Sequence, residues 1–99
     1  MTLITAGVSF GDPIDDPVIK ARERNQQRRI NQGIRSGELT PQEAARLEGR
    51  EAKIKQDEQR MKSDGKLTRA ERRKLNKELN RSSHAIYKKK LNNRRVQTQ

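Results

Sequence analysis

His84 is the only histidine in this chain of 99 residues, and cysteine is absent. Ser82 and Ser83 lie beside it in a stretch with helical spacing. No strained turn presents either hydroxyl, so no nucleophile–base pair can be assembled around the imidazole. The histidine reads as a helix-face residue near the core. Disulfides and cysteine metal sites are excluded. The segment Asp64-Gly65-Lys66-Leu67-Thr68-Arg69-Ala70-Glu71 has the glycine, apolar residue and closing glutamate of the second half of an EF-hand calcium loop. The first and third ligand positions of such a loop fall on Arg60 and Lys62, two cations that would repel calcium. A helix stop followed by a new helix start accounts for the same residues. No glycine-rich phosphate loop is present. These residues predict a protein that is not an enzyme and takes no cofactor or metal.

The groups best suited to binding are cations. Residues 1–59 carry ten Lys/Arg and ten Asp/Glu, whereas residues 60–99 carry fourteen and three. The whole net charge of +11 therefore sits in the last 40 residues of the sequence. Arg72, Arg73, Lys74, Lys77, Arg81, Lys88, Lys89, Lys90, Arg94 and Arg95 are the candidate partner-binding residues. A basic helix of this kind attracts polyanions and speeds encounter with them, in a manner that salt screens. The competing reading is a solvated helix face that only keeps the protein soluble. Base-specific reading of DNA needs a docking motif, and no helix-turn-helix, zinc finger or zipper basic region is visible. Stacking on single strands needs more rings than Tyr87. Any nucleic acid bound would be bound without sequence preference.

Three helices must position these groups. Asp16 caps and Pro17 opens the first helix, predicted over 17–36 with Gly37 as its left-handed stop. Its apolar face is sparse: Ile19, Ile30 and Ile34, with Gln26 in the same stripe. Thr40, Pro41 and Glu43 form a capping box that starts a second helix over about 41–62. Leu47, Ile54 and Met61 recur there every seven residues. Ala45, Gly49 and Ala52 form a small-residue stripe, and Gly49 is expected to mark a close helix crossing. Ser63-Asp64-Gly65 ends that helix. Thr68 and Glu71 repeat the capping box and open a third helix over about 69–95. Leu75, Leu79, Ser82 and Ile86 share one of its faces, with Tyr87 and Leu91 on the flank. Its length of roughly 40 Å exceeds what a small bundle needs, so Lys88 to Arg95 are expected to project beyond the core.

Gly37-Glu38-Leu39-Thr40-x-x-Glu43-x-x-x-Leu47 matches Gly65-Lys66-Leu67-Thr68-x-x-Glu71-x-x-x-Leu75 at a spacing of 28 residues. The pattern reads as consecutive αα-hairpins: an all-α domain over 17–95, preceded by an extended segment at 1–16 and followed by a tail at 96–99. Ile4, Ala6, Val8 and Phe10 alternate with small polar residues, as in a half-buried strand. With no second strand in the chain, these residues are expected to serve assembly, by pairing with another protein or with a copy of this one. Only 28% of residues are hydrophobic, so the core must be thin, and an outside contact is expected to complete it. No apolar run approaches the roughly 20 residues that cross a bilayer. Residues 1–10 carry no readable secretion signal.

Arg24-Asn25-Gln26-Gln27-Arg28-Arg29-Ile30, Gly33-Ile34-Arg35-Ser36-Gly37-Glu38-Leu39-Thr40, Ala45-Arg46-Leu47-Glu48, Asp64-Gly65-Lys66-Leu67-Thr68 and Ser83-His84-Ala85-Ile86-Tyr87-Lys88 resemble a group of small helical proteins of Gram-negative bacteria, usually made with a signal peptide. The resemblance runs from Arg22 to Asn92. It implies export to the periplasm or cell surface, and it carries no activity or site residues. The expected function is that of an exported, non-enzymatic interaction protein. Its strand would dock, and its basic helix would face an acidic partner or surface. The alternative is a cytoplasmic protein that binds nucleic acid without sequence preference.

Overall fold

The computed structural model describes residues 16–98, with side chains as far as Arg94. The described chain is all-α. Helix α1 spans Pro17–Ser36, α2 spans Pro41–Met61 and α3 spans Arg69–Thr98, with a 3₁₀ turn at Lys62–Asp64 between α2 and α3. Each helix packs on both of the others. No described helix is long and apolar enough to cross a membrane. Residues Ile4, Ala6, Val8 and Phe10 lie outside the described residues.

The boundaries follow from local chemistry. The Asp16 carboxylate accepts from the backbone N–H of Val18 at 2.9 Å and of Ile19 at 3.4 Å, which serves two otherwise unpaired donors of the first turn. Thr40 and Glu43 bond reciprocally at 3.1 and 3.0 Å, and Thr68 and Glu71 do the same at 3.1 and 2.9 Å. The Glu71 carboxylate is thus committed to a helix cap. Gly37 and Gly65 stop the helices before them at φ +80° and +85°, a region that side chains disfavour. The second and third helices end at Met61 and Thr98, within one to three residues of expectation.

The inward positions advance by four, three, four and three on α1 and α2, and by four, three, four and four on α3. On α1 they are Ile19, Glu23, Gln26, Ile30 and Gly33; on α2 they are Leu47, Glu51, Ile54, Glu58 and Met61. On α3 they are Leu75, Leu79, Ser82, Ile86 and Lys90. This is the seam of a coiled-coil-like bundle, with polar residues alternating among the apolar ones. Ile19, Ile54, Met61, Leu67, Leu75 and Leu79 form one apolar cluster. Ile30, Leu39, Leu47 and Ile86 form a second. Leu39 and Leu67, one residue before each threonine cap, are among the most buried residues. Ile34 lies off the seam and is 48% exposed, so it does not belong to the core face expected of it.

Two further expectations are corrected. A Cβ placed on Gly49 meets nothing within 4 Å, because Ala45, Gly49 and Ala52 all face solvent. The close approach is at Gly33 instead. A Cβ there would lie 2.7 Å from Leu39 Cγ and Cδ1. Leu39 is held in place by its own N–H, which donates to Gly33 O at 3.0 Å. The basic end of α3 also does not project. Lys90 is buried and donates to Arg29 O at 3.3 Å and Gln32 Oε1 at 2.7 Å. Asn93 bonds Glu38 O at 2.7 Å and Glu43 Oε1 at 2.6 Å. Arg94 meets Glu38 at 2.8 Å. The extra turns of α3 therefore bind the hairpin between α1 and α2.

The two glycines should respond oppositely to alanine. Gly33→Ala should lower unfolding stability by about 1–3 kcal/mol, because Leu39 must move. Gly49→Ala should raise it by about 0.5–1 kcal/mol through helix propensity alone. Urea titrations followed by circular dichroism measure both, and a destabilised Gly49→Ala would contradict the packing described.

Candidate polyanion interface

The surface is set by what the seam withholds from it. Glu51 projects inward from α2, and the Ser82 hydroxyl donates to its carboxylate. Glu23 of α1 and Glu58 of α2 face each other across the first cluster, 6% and 2% exposed. Lys20 and Lys62 approach Glu58 at 3.6 and 3.5 Å. Burial pushes the Glu23 carboxyl up to about 7, and its hydrogen bond with Glu58 and the Glu58 charge push the same way. Burial also raises Glu51, against the opposing hydrogen bond from Ser82. Burial and then Asp57 raise Glu78. Asp57 is held low, first by its bond from Lys53 at 3.1 Å and also by Arg60 at 2.9 Å.

Between α1 and α3 the seal is a polar ladder. Arg22 donates to Asn76 Oδ1 at 2.8 Å and also to Asn80. Gln26 donates to Leu79 O at 2.9 Å, and Arg29 to Ser83 Oγ at 2.7 Å. These partners rise together along both helices, which therefore run parallel. A chain poor in apolar side chains closes its bundle with hydrogen bonds.

Four acidic groups, Glu23, Glu51, Asp57 and Glu58, are thus buried, whereas Lys90 is the one buried Lys or Arg among the described side chains. Among the described acidic residues only Asp64 stands fully exposed. Arg24, Arg28 and Arg35 on α1, and Arg46 and Arg50 on α2, all face solvent. The linear sequence places the positive excess in the last 40 residues, whereas the folded surface carries it on all three helices. Sequence reasoning missed these arginines, although their spacing opposite Ile19, Gln26 and Ile30 marks an outward stripe.

The ten expected binding residues divide accordingly. Arg73, Lys74, Lys77, Arg81, Lys88 and Lys89 are exposed and make no ion pair within 4 Å among the described residues. Arg72 is half-buried, donates to Leu67 O at 2.9 Å and lies 3.9 Å from Asp16. Lys90 is enclosed, and Arg94, though exposed, is paired with Glu38. The Arg95 side chain lies outside the described residues. His84 is exposed, not near the core as expected, and lies in a furrow between α2 and α3. Arg50, Arg81, Lys88 and Lys89 line that furrow, with Ala85 in its wall. It continues past Lys53 over Ile54 and Ser82 to Glu78. Across the bundle, Arg28, Arg29 and Arg35 line a shallower depression on α1 with Asn25, Asn31 and Gln32. Among the described residues no group of acidic or imidazole side chains is arranged to hold a metal ion. No family model, curated protein or solved structure matches the chain.

The buried carboxyls give stability a defined pH dependence. The folded value of Glu23, about 7, exceeds its unfolded value of 4.5. Its contribution is complete below the unfolded value and is lost as pH rises through 7, and Glu51 and Glu78 act in the same direction. Unfolding stability should therefore fall between about pH 5 and pH 8, by up to about 3 kcal/mol for Glu23. Glu23→Gln should flatten much of that slope. A urea midpoint that rises over this range would contradict the assignment.

Proposed function

We propose that this protein is a non-enzymatic binding module whose exposed cations hold an extended polyanion without reading its sequence. The single observation that carries this reading is the sorting of charge among the described residues: four carboxyls, Glu23, Glu51, Asp57 and Glu58, are buried, while exposed Lys and Arg stand outward on every helix. An interface for a folded acidic protein has an apolar centre with a polar rim. Here the large exposed apolar residues, Val18, Ile34 and Tyr87, are scattered and build no such centre. A polymer of repeated anionic groups needs none. Nucleic acid, whose phosphates are read by charge alone in such contacts, fits the surface best.

An acidic polymer or surface outside the cytoplasm, in keeping with the resemblance to exported proteins, would use the same groups. In that setting residues 1–10 would supply the assembly strand. Cell fractionation separates the two settings.

Binding of a labelled nucleic acid should weaken steeply with salt. About six phosphate contacts imply a loss of roughly a thousandfold between about 50 and 200 mM salt. Scrambling the nucleotide sequence should leave the affinity within about twofold, since no base-reading contact is expected. Fluorescence anisotropy measures both. Affinity that ignores salt, or no binding at the lower concentration, would contradict the reading.

A further inference from the structure

Two groups of exposed cations lie on opposite sides of the bundle, and we propose that one molecule uses them to bridge two nucleic-acid duplexes. This rests on the polyanion reading above and adds the partner's form and the number of segments held. In a bundle where each helix packs on the other two, the solvent side of α1 lies across the molecule from the seam between α2 and α3. The first face is the α1 stripe of Arg24, Arg28 and Arg35, all exposed and all opposite the buried Ile19 and Ile30. It extends over about 16 Å at 1.5 Å per residue. The second is the furrow formed by Arg50 of α2 with Arg81, Lys88 and Lys89 of α3. From Glu78 to Asn92 it runs about 21 Å, and Glu78 at one end is its one acidic lining residue.

The duplex form follows from charge and from the scarcity of rings, His84 being the one in the furrow. A double helix carries a charge about every 1.7 Å of its axis, a density that rewards cation contacts through counterion release. Guanidinium groups, prominent on both faces, match phosphate in a forked geometry that ammonium lacks. No Phe, Tyr or Trp lines either face and His84 is the one ring in the furrow, so successive bases of a single strand would find no stacking platform. The hydrogen-bonded α1–α3 ladder keeps the two faces at a fixed separation. A rigid spacer of this kind lets the second duplex bind without closing on the first.

The test uses the full chain with two populations of a duplex of roughly 20 base pairs, one carrying a donor dye and the other an acceptor. Energy transfer between them should appear at one protein per two duplexes. Charge reversal on α1 (Arg28→Glu with Arg35→Glu) should reduce transfer by about tenfold, as expected when phosphate contacts are lost. The same should hold for reversal in the furrow (Arg81→Glu with Lys88→Glu). Each variant should still bind a single duplex by anisotropy, more weakly than the parent, with its helical circular dichroism intact. Anisotropy without energy transfer in the parent chain would overturn the bridging and leave the polyanion reading standing. Transfer that survives in either variant would overturn the two-face origin. Bridging of inorganic polyphosphate or heparin with none of the duplex would overturn the choice of partner. No binding to any of these at low salt would remove the polyanion reading itself.

Discussion

The structure depends on how a bundle with little apolar surface seals its interior. Three seams of alternating oily and polar residues meet along the axis. A carboxylate carried into that interior costs several kcal/mol unless it is paired, hydrogen-bonded or neutralised. Each buried acid has a specific answer: Glu51 takes the Ser82 hydroxyl, Asp57 takes Lys53 and Arg60, and Glu23 takes up a proton against Glu58. The partners on other helices set the register, because sliding one helix by a turn would separate Glu51 from Ser82 and Glu23 from Glu58.

That solution has an electrostatic consequence. Glu23 and Glu51, recruited into the seam, make no close pair with the outward arginines of their own helices. Residues 16–59, with ten Lys/Arg and eight Asp/Glu, therefore present a surface more positive than their sequence. Stability and surface charge arise from the same partition. Helix α3 shows it within one element, where Lys90 faces inward to Gln32 while Lys88 and Lys89 face outward, one or two residues away.

The helix boundaries were legible in the sequence because caps are local. Asp16, Thr40 and Thr68 act within three residues of themselves, and Gly37 and Gly65 need only their own backbone angles. The apolar heptad Leu47, Ile54, Met61 was equally plain. Glu51 and Glu58 complete that heptad at the interleaved positions, and on α1 Glu23 does the same between Ile19 and Gln26, which the stripe already included. Reading only apolar residues hides this, since a glutamate in a seam looks like one on a surface until its partner on another helix is known. Gly33 and Gly49 were confused for the same reason: what a glycine admits depends on a residue brought up by the fold, here Leu39. The inward turn of Lys90 likewise depends on Arg29 and Gln32, which lie on another helix.

A sequence that spends its acids in the core makes the protonation of one side chain diagnostic. The most direct measurement is a carbon-detected NMR titration of the glutamate carboxyl groups in the folded protein. The Glu23 resonance should titrate with a midpoint near 7. A Glu23 midpoint at or below its ordinary value of 4.5 would show that this carboxylate faces water, and the inward sorting of charge, with the surface built upon it, would be contradicted.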